Sequence, residues 1–397
     1  MNEPVCSLTP SADPWTPALR SFLNPLQRAN VSCKVTYPQR SWLDASGRLE
    51  VQKTNWTEEM CSYRCIEMPD DNTYDFRPWT WMVEEEIRFV AQPNCDVFDV
   101  LCREGNQTTF KWLHSQVVER SDRLDEIKTR TTETELPDVH ILVLDSVSMD
   151  HVLRALPNTV HYIRSIMGGV RIAHLNKVGM NSRPNAYAFL LGERAENLPP
   201  NPWWPAMGGG RLDDLCHKHI KDENFIGFDF QRAGYRTMIN EDVAATVFHE
   251  RNCAGFGTRP ADHYFRAHAA RLFFKHSCQE RHHSILHHLK SFIHKYPHTP
   301  KFSLSWITML AHDDVNSLYH ADGELANFFR ENDEKADHGP AYGPLRRSKA
   351  GRVEANNPFL FVTLPRHLRD HSDLIGQIYE NSQQLTTQFD VYASWLK

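Results

Sequence analysis

Four groups of side chains in this sequence are suited to bond-breaking chemistry. Asp145 ends the apolar run Ile141–Leu144, and Asn181-Ser182-Arg183-Pro184-Asn185 makes the turn between a strand and a helix. His312-Asp313-Asp314 follows the run Phe302–Ile307 by a few residues, and Asp337-His338-Gly339 has the same mixed character with no strand before it. In an open α/β sheet, ligands bind beyond the carboxyl ends of the strands. Carboxylates and imidazoles converging there repel one another, or stay costly to desolvate, unless a cation neutralises them. Imidazole with carboxylate suits zinc or manganese better than calcium. Two such ions about 3.5–4 Å apart clamp a phosphoryl group and lower the pKa of a coordinated hydroxyl. A Ser at a helix start, with backbone N–H groups facing the anion, then attacks as the alkoxide. Each feature also has a plainer reading. An Asp after a strand, Asp145 included, serves as a helix cap, and Ser182 before Arg183-Pro184 is itself placed as a cap with Pro near the first turn. Spacing leaves both readings open.

The elements that must position these residues begin at Leu136-Pro137, where apolar runs start to alternate with amphipathic segments. Val139–Leu144 is a continuous apolar run rich in β-branched residues, expected as a buried strand. Met149–Met167 has helical spacing (Val152, Leu156, Val160, Ile163, Ile166) and stops at Gly168-Gly169. Val170–Leu175 is the next expected strand, and Asn185–Leu191 a helix ending at Gly192. A helix before Gly234 leads to a strand over Tyr235–Ile239; helices over Tyr264–Phe274 and Gln279–Tyr296 precede a strand at Phe302–Ile307. Another helix spans Gly323–Arg330, and a last strand lies at Phe359–Leu364. Such alternation predicts a mostly parallel central sheet with helices on both faces.

Residues 1–136 differ in composition and form a separate N-terminal region, with the α/β domain over 137–397. Six of the nine cysteines fall in this first third (Cys6, Cys33, Cys61, Cys65, Cys95, Cys102), with the sequons Asn30 (NVS), Asn55 (NWT) and Asn106 (NQT). Together they describe a glycosylated, disulfide-bearing region that folds in the secretory pathway, for the lumen or the cell exterior. The pairing stays open, and among the later cysteines Cys253 with Cys278, or Cys216 with either, are the options. A zinc site at Cys61-x3-Cys65 is the rival, weakened by the lack of a second such pair at finger spacing. No charged segment followed by an apolar core opens the chain, so an ectodomain or an incomplete gene product is expected. No stretch approaches the ~18 apolar residues of a membrane span, and a membrane anchor would belong to a longer form.

The whole chain of 397 residues carries 44 Lys+Arg against 50 Asp+Glu, a formal charge of −6, which offers no basic face for nucleic acid. At 41% hydrophobic and 24% charged, it is globular rather than disordered. His276, His282, His283, His287, His288, His294 and His298 crowd one segment. His283 and His287 have the i, i+4 spacing of a metal pair, yet Ile285, Leu286, Leu289 and Phe292 form the buried stripe there. The histidines are therefore expected on a solvated or partly packed face.

Several strings, taken in order, carry a resemblance. They are Asp145-Ser146-Val147-Ser148, Leu175 through Asn185, Ala233-Gly234-Tyr235-Arg236-Thr237, Asp262-His263-Tyr264, Asp337-His338-Gly339-Pro340-x-Tyr342-Gly343 and Asn357-Pro358-Phe359-Leu360-Phe361. The chain over about 137–395, and more weakly its Cys-rich part, resembles the animal family called domain of unknown function 229. That family looks like a sulfatase-like branch of the alkaline phosphatase superfamily. The resemblance implies an alkaline-phosphatase-like α/β fold and a metal-dependent hydrolase of phosphate or sulfate esters. By it, Asp145 matches the first-strand metal ligand, Ser182 the nucleophile, and Asp337 with His338 the ligand pair of the later motif. His312 and Asp313, with Asp314 as a substitute, fall where a second metal is held, and Lys177 and Arg183 are placed to contact the anion. One or two divalent ions, zinc before calcium, are the implied cofactors.

Three departures from the family pattern matter. Ala186 stands where a formylglycine sulfatase needs Arg four residues after its modified residue, which favours a Ser-nucleophile phosphatase or phosphodiesterase. The run Phe328–Ala336 contains no strand before Asp337, as though one were missing. The chain stops at Lys397, soon after Leu385-Thr386-Thr387-x-Phe389-Asp390, short of where a late His ligand is expected. The missing strand before Asp337 is the feature that favours the alternative of a catalytically inactive, sulfatase-like ectodomain with a binding role.

Overall fold

Val139–Leu144 is a strand whose residues beyond the first are all buried, as its aliphatic and β-branched side chains require. The computed structural model describes residues 15–27, 36–54, 58–120, 136–195, 215–221, 224–249, 253–273, 280–332 and 356–395 of a mixed α/β chain. Contacts group the chain into two units. The first comprises Met1–Ala29, His140–Leu215 and Trp306–Lys397; the second comprises Asn30–Val139 and Cys216–Ser305. The division at 136/137 is one of composition, whereas this grouping is one of packing.

In the first unit, Ser148 caps the helix Met149–Ala155, its hydroxyl accepting from the His151 amide at 3.1 Å. The single helix expected over Met149–Met167 is in fact two, Met149–Ala155 and Pro157–Ser165. Proline cannot continue a helix, because it lacks the N–H and clashes with the carbonyl four residues back, but it suits a first helical position. The N-terminal N–H groups of the second helix are satisfied from a distant segment. The buried Asp322 carboxylate accepts from the Asn158 amide (3.1 Å), the Thr159 amide (2.9 Å) and the Thr159 hydroxyl (2.9 Å). Asp322 itself opens the helix Asp322–Asn332.

The strand expected over Val170–Leu175 is also divided. Val170–Arg171 pairs antiparallel with Phe361–Val362, to which the Phe359–Leu364 strand is reduced, and His174–Asn176 pairs parallel with Leu385–Thr387. The helix expected at Asn185–Leu191 begins earlier, at Ser182. It is α-helical to Ala186 and π-helical over the fully buried Tyr187–Leu191, then ends at Gly192 with φ +65°. A left-handed C-terminal residue of this kind favours glycine.

The second unit holds nine short strands between Ser41 and Ser115 among its described residues. Thr80–Trp81 and Val97–Glu104 both pair antiparallel with Met60–Glu67, and Val97–Glu104 returns through a two-residue turn to Gln107–Ser115. Leu49, Val51, Phe89, Phe98, Val100 and Phe110 form its core. Cys61 stands opposite Cys102 in the strand register and is bonded to it, and Cys65 is bonded to Cys95. Those bonds use both thiols of the rival Cys61-x3-Cys65 zinc site, which is thereby excluded. Cys216 pairs with Cys253, one of the options left open by the sequence; Cys6, Cys33 and Cys278 lie outside the described residues.

The same unit carries the helix Ile226–Arg232 before Gly234, then the wholly buried strand Arg236–Glu241, parallel to His263–Tyr264. Both senses of strand pairing occur in the chain, and the architecture is mixed α/β without the clearly parallel sheet expected. No helix among the described residues is long and apolar enough to cross a membrane.

Candidate active site

Asp145 sits where the strand Val139–Leu144 ends, only 3% exposed, with its amide donating to the Ile307 carbonyl at 2.9 Å. The next residue, Ser146, adopts φ +63°, a left-handed conformation that costs a non-glycine residue about 1 kcal/mol or more. The Ser146 hydroxyl donates to Asp145 Oδ1 at 2.9 Å. The following turn ends at Ser148, so the cap of the next helix is Ser148, and Asp145 is left for another task. This turn also meets the Asn357–Phe361 string, since the Met149 amide donates to the Asn357 carbonyl at 3.2 Å.

Ser182 is brought to Asp145 by a loop held from within. Asn185, 3% exposed, accepts from the Val178 amide at 2.9 Å and donates to the carbonyls of Gly179 (3.2 Å) and Asn181 (2.7 Å). Asn181 is the residue before the helix and Ser182 its first residue, so the Ser182 side chain is not spent on capping. Its hydroxyl instead faces the carboxylate of Asp145, 2.9 Å from Oδ2 and 3.1 Å from Oδ1. Trp306 completes the group: its indole N–H donates to Asp145 Oδ2 at 2.9 Å. Lys177 and Arg183, expected near the anion, are partly exposed.

Asn185 and Trp306 join the site without being among the candidates that the sequence singles out, although both lie in segments that it marks. For Trp306 a signal existed. Its strand, Lys301–Ile307, is buried throughout, and a buried indole N–H needs an acceptor.

The expected second ligand group is elsewhere in character. His312 Nδ1 lies 2.7 Å from Asp313 Oδ1, and the Asp313 side chain is 86% exposed. Asp314 caps the short helix Val315–Ala321, accepting from the Asn316 amide at 2.9 Å, and also accepts from Gln27. Asp337 and His338 lie outside the described residues, as do Asn30 and Asn55; Asn106 is exposed in its turn. Among the described residues, three or more ligand atoms within 4.8 Å of one another occur at Glu280, His282 and His283, and Asp145, His312 and Asp313 do not form such a group. A buried carboxylate with both oxygens turned to a hydroxyl oxygen fits one side of a divalent-ion shell; the rest of that shell is not supplied by described residues.

The histidine-rich helix, Arg281–Lys295, carries its histidines on a partly packed face. His283, His287 and His294 are exposed, but His282 and His288 are buried. The His288 ring stacks on Phe265 at 3.8 Å, and its Nε2 lies 2.7 Å from the Ser115 hydroxyl. Burial, with His268 and His287 close by, pushes the His288 pKa well down.

Asp96, His263 and Glu241 are among the other ionisable side chains buried in the second unit. His263 Nδ1 lies 2.9 Å from Asp96 Oδ2 and its Nε2 2.8 Å from the Tyr296 hydroxyl, while Arg120 donates to the same Asp96 oxygen at 3.2 Å. Burial pushes the Asp96 carboxyl up, but the His263 charge and hydrogen bond and the Arg120 charge outweigh it and hold the pKa below the usual range. Glu241 is pushed up to about 8, mainly by burial, despite a hydrogen bond from the Val247 amide.

These features define a mixed α/β protein with a serine hydroxyl held against a buried strand-end carboxylate. The family model described as "Protein of unknown function (DUF229)" matches residues 23–397, and the chain belongs to that family. No curated protein matches it significantly. Among solved structures, it is similar to murine ectonucleotide pyrophosphatase/phosphodiesterase 5, at 17% identity and a TM-score of 0.28. The match covers 51% of this chain and 57% of that one, so the chain spans little more than half of the solved relative.

Proposed function

We propose that this chain is a metal-dependent hydrolase of phosphate or sulfate esters, with an alkaline-phosphatase-like fold and Ser182 as nucleophile, acting in the secretory lumen or outside the cell. The observation that carries the reading is the bond from the Ser182 hydroxyl to both oxygens of Asp145, at 2.9 and 3.1 Å. A free serine hydroxyl is a weak nucleophile and needs an activating partner. Asp145 orients the hydroxyl and holds its proton, Asn185 keeps the preceding loop in shape, and Trp306 holds the carboxylate. The bond from Ser182 Oγ to phosphorus forms as the bond to the ester oxygen breaks, the alcohol leaves with a proton, and water later cleaves the seryl ester, releasing phosphate and returning a proton to Ser182 Oγ. A divalent ion, zinc by donor chemistry, held by Asp145 with Asp337 and His338, and a second at His312 and Asp313, would supply Lewis acidity at the hydroxyl and the ester oxygens. Lys177 and Arg183 pair with the anionic ester.

The disulfides Cys61–Cys102, Cys65–Cys95 and Cys216–Cys253 support an oxidising compartment. Glycans at Asn30, Asn55 and Asn106 belong to the same reading. One observation favours an inactive, binding ectodomain instead: His312 and Asp313 do not close on Asp145 as a three-ligand group.

Elemental analysis of purified protein, with turnover of aryl phosphate, aryl sulfate and phosphodiester substrates by wild type and Ser182→Ala, separates the two. The hydrolase reading expects bound zinc and a loss on the order of a thousandfold in Ser182→Ala. Metal-free protein without Ser182-dependent turnover leaves the binding ectodomain.

A further inference from the structure

We propose that Trp306 is a positioning residue of this site, fixing the plane of the Asp145 carboxylate and tying it to the helix that carries Ser182. The inference rests on the reading of Ser182 as nucleophile. The last torsion of an aspartate is soft and roughly two-fold, so the carboxylate plane must be set by its hydrogen-bond donors. Donors that reach this one include Ser146 on Oδ1 at 2.9 Å, Trp306 on Oδ2 at 2.9 Å, and Ser182 across both oxygens. Ser182 is the reacting group and cannot also be the fixed reference. The plane therefore depends on Ser146, held by its left-handed backbone, and on Trp306.

The indole is itself fixed. It is 1% exposed, and its ring stacks on Phe189 with centroids 6.1 Å apart and planes at 24°. Phe189 lies in the π-helical turn Tyr187–Leu191, which continues the helix that begins at Ser182. Side chain by side chain, a closed circuit runs from Asp145 to Trp306 to Phe189, along the helix to Ser182, and back to Asp145. Oδ2 is the oxygen nearest the Ser182 hydroxyl, and the indole N–H is aimed at that same oxygen. A carboxylate rotated out of this plane no longer presents it to the hydroxyl, and misplacement on the ångström scale costs about a hundredfold in rate.

Trp306→Phe removes the N–H and keeps a ring against Phe189. In zinc-supplemented wild-type and variant enzyme, kcat should fall ten- to a hundredfold with KM within twofold, because the substrate's own contacts are untouched. Unfolding temperatures should stay within a few degrees of one another. A structural role alone would lower the unfolding temperature and leave kcat per folded molecule unchanged, and that result overturns the inference. The second arm needs no activity. The indole ¹⁵N–H signal of Trp306, assigned by its loss in Trp306→Phe, should shift in Asp145→Asn. An unchanged signal overturns the contact, and with it the inference. Wild type lacking Ser182-dependent turnover overturns the hydrolase reading and the kinetic role drawn from it, even where the indole signal moves.

Discussion

The hydroxyl of Ser182 donates to the carboxylate of Asp145 across 37 positions of sequence, 2.9 Å from Oδ2 and 3.1 Å from Oδ1. Two segments with no local reason to meet are thus joined at one strand end. Asp145→Asn keeps the size of the side chain but replaces one acceptor by an NH₂ donor, which can no longer receive the hydroxyl proton. Ester hydrolysis should fall by about a hundredfold or more. By the proposed metal-dependent reading, divalent metal retained after dialysis should fall with it. Full activity in this variant would remove Asp145 from the mechanism.

The buried Asp96 and His263, with the partly exposed Arg120, should make the second unit sensitive to acid. A carboxyl whose folded pKa lies below its unfolded value adds stability above the unfolded value, near pH 4, and that stability is lost as pH falls through the folded value. Asp96→Asn should cost roughly 3–5 kcal/mol at pH 7, because it removes the buried carboxylate to which Arg120 and His263 are bonded. Urea unfolding between pH 7 and pH 3 should show the wild type losing stability below about pH 4 and the variant losing less over the same range. Parallel curves would refute this.

Glu241 acts with the opposite sign. Its folded pKa, about 8, lies above that of an exposed glutamate, so between about pH 4.5 and 8 the unfolded chain holds fewer protons than the folded one. Stability therefore declines as pH rises through this window. Glu241→Gln keeps an acceptor for the Val247 amide and has no charge to bury. It should gain roughly 2–4 kcal/mol at pH 8 and little near pH 4.5. Thermal unfolding at the two values measures the difference, and an equal gain at both would contradict the assignment.

Gly192 ends the helix that presents Ser182, with φ +65°, and a Cβ there would meet the ring of Tyr392. Gly192→Ala should destabilise the protein by about 1–3 kcal/mol through backbone strain and overpacking. Because Phe189 and Ser182 lie on the same helical run, ester hydrolysis per folded molecule should fall too. Denaturant unfolding and assays on the folded fraction test both, and an unchanged unfolding midpoint would refute the clash.

Strong local signals made much of the fold legible. The β-branched run of Val139–Leu144, the helical spacing after Met149 and the apolar run at Phe302–Ile307 all mark elements that the structure contains. Pro157 was visible in the sequence as a helix breaker, yet the apolar period on both sides read through it. Nothing in the sequence shows that Asp322 supplies the missing cap there. The strand expected over Tyr235–Ile239 runs instead over Arg236–Glu241, and its polar last residues, Asn240 and Glu241, are buried.

At the candidate site, the residue types and their places after strands were readable, and so was the family pattern that they follow. The choice between a cap and a reactive pair was not. A hydroxyl or carboxylate at a helix start satisfies a local N–H or turns to a distant group, and local sequence is compatible with either. Packing decided it. Ser148 and Asn181 occupy the positions before their helices, while Asn185, Trp306 and the left-handed Ser146 hold Ser182 and Asp145 against each other. Secondary structure follows from interactions a few residues apart, which a sequence displays. The direction of a hydroxyl toward a carboxylate 37 residues away depends on how whole elements pack, and that is settled in three dimensions.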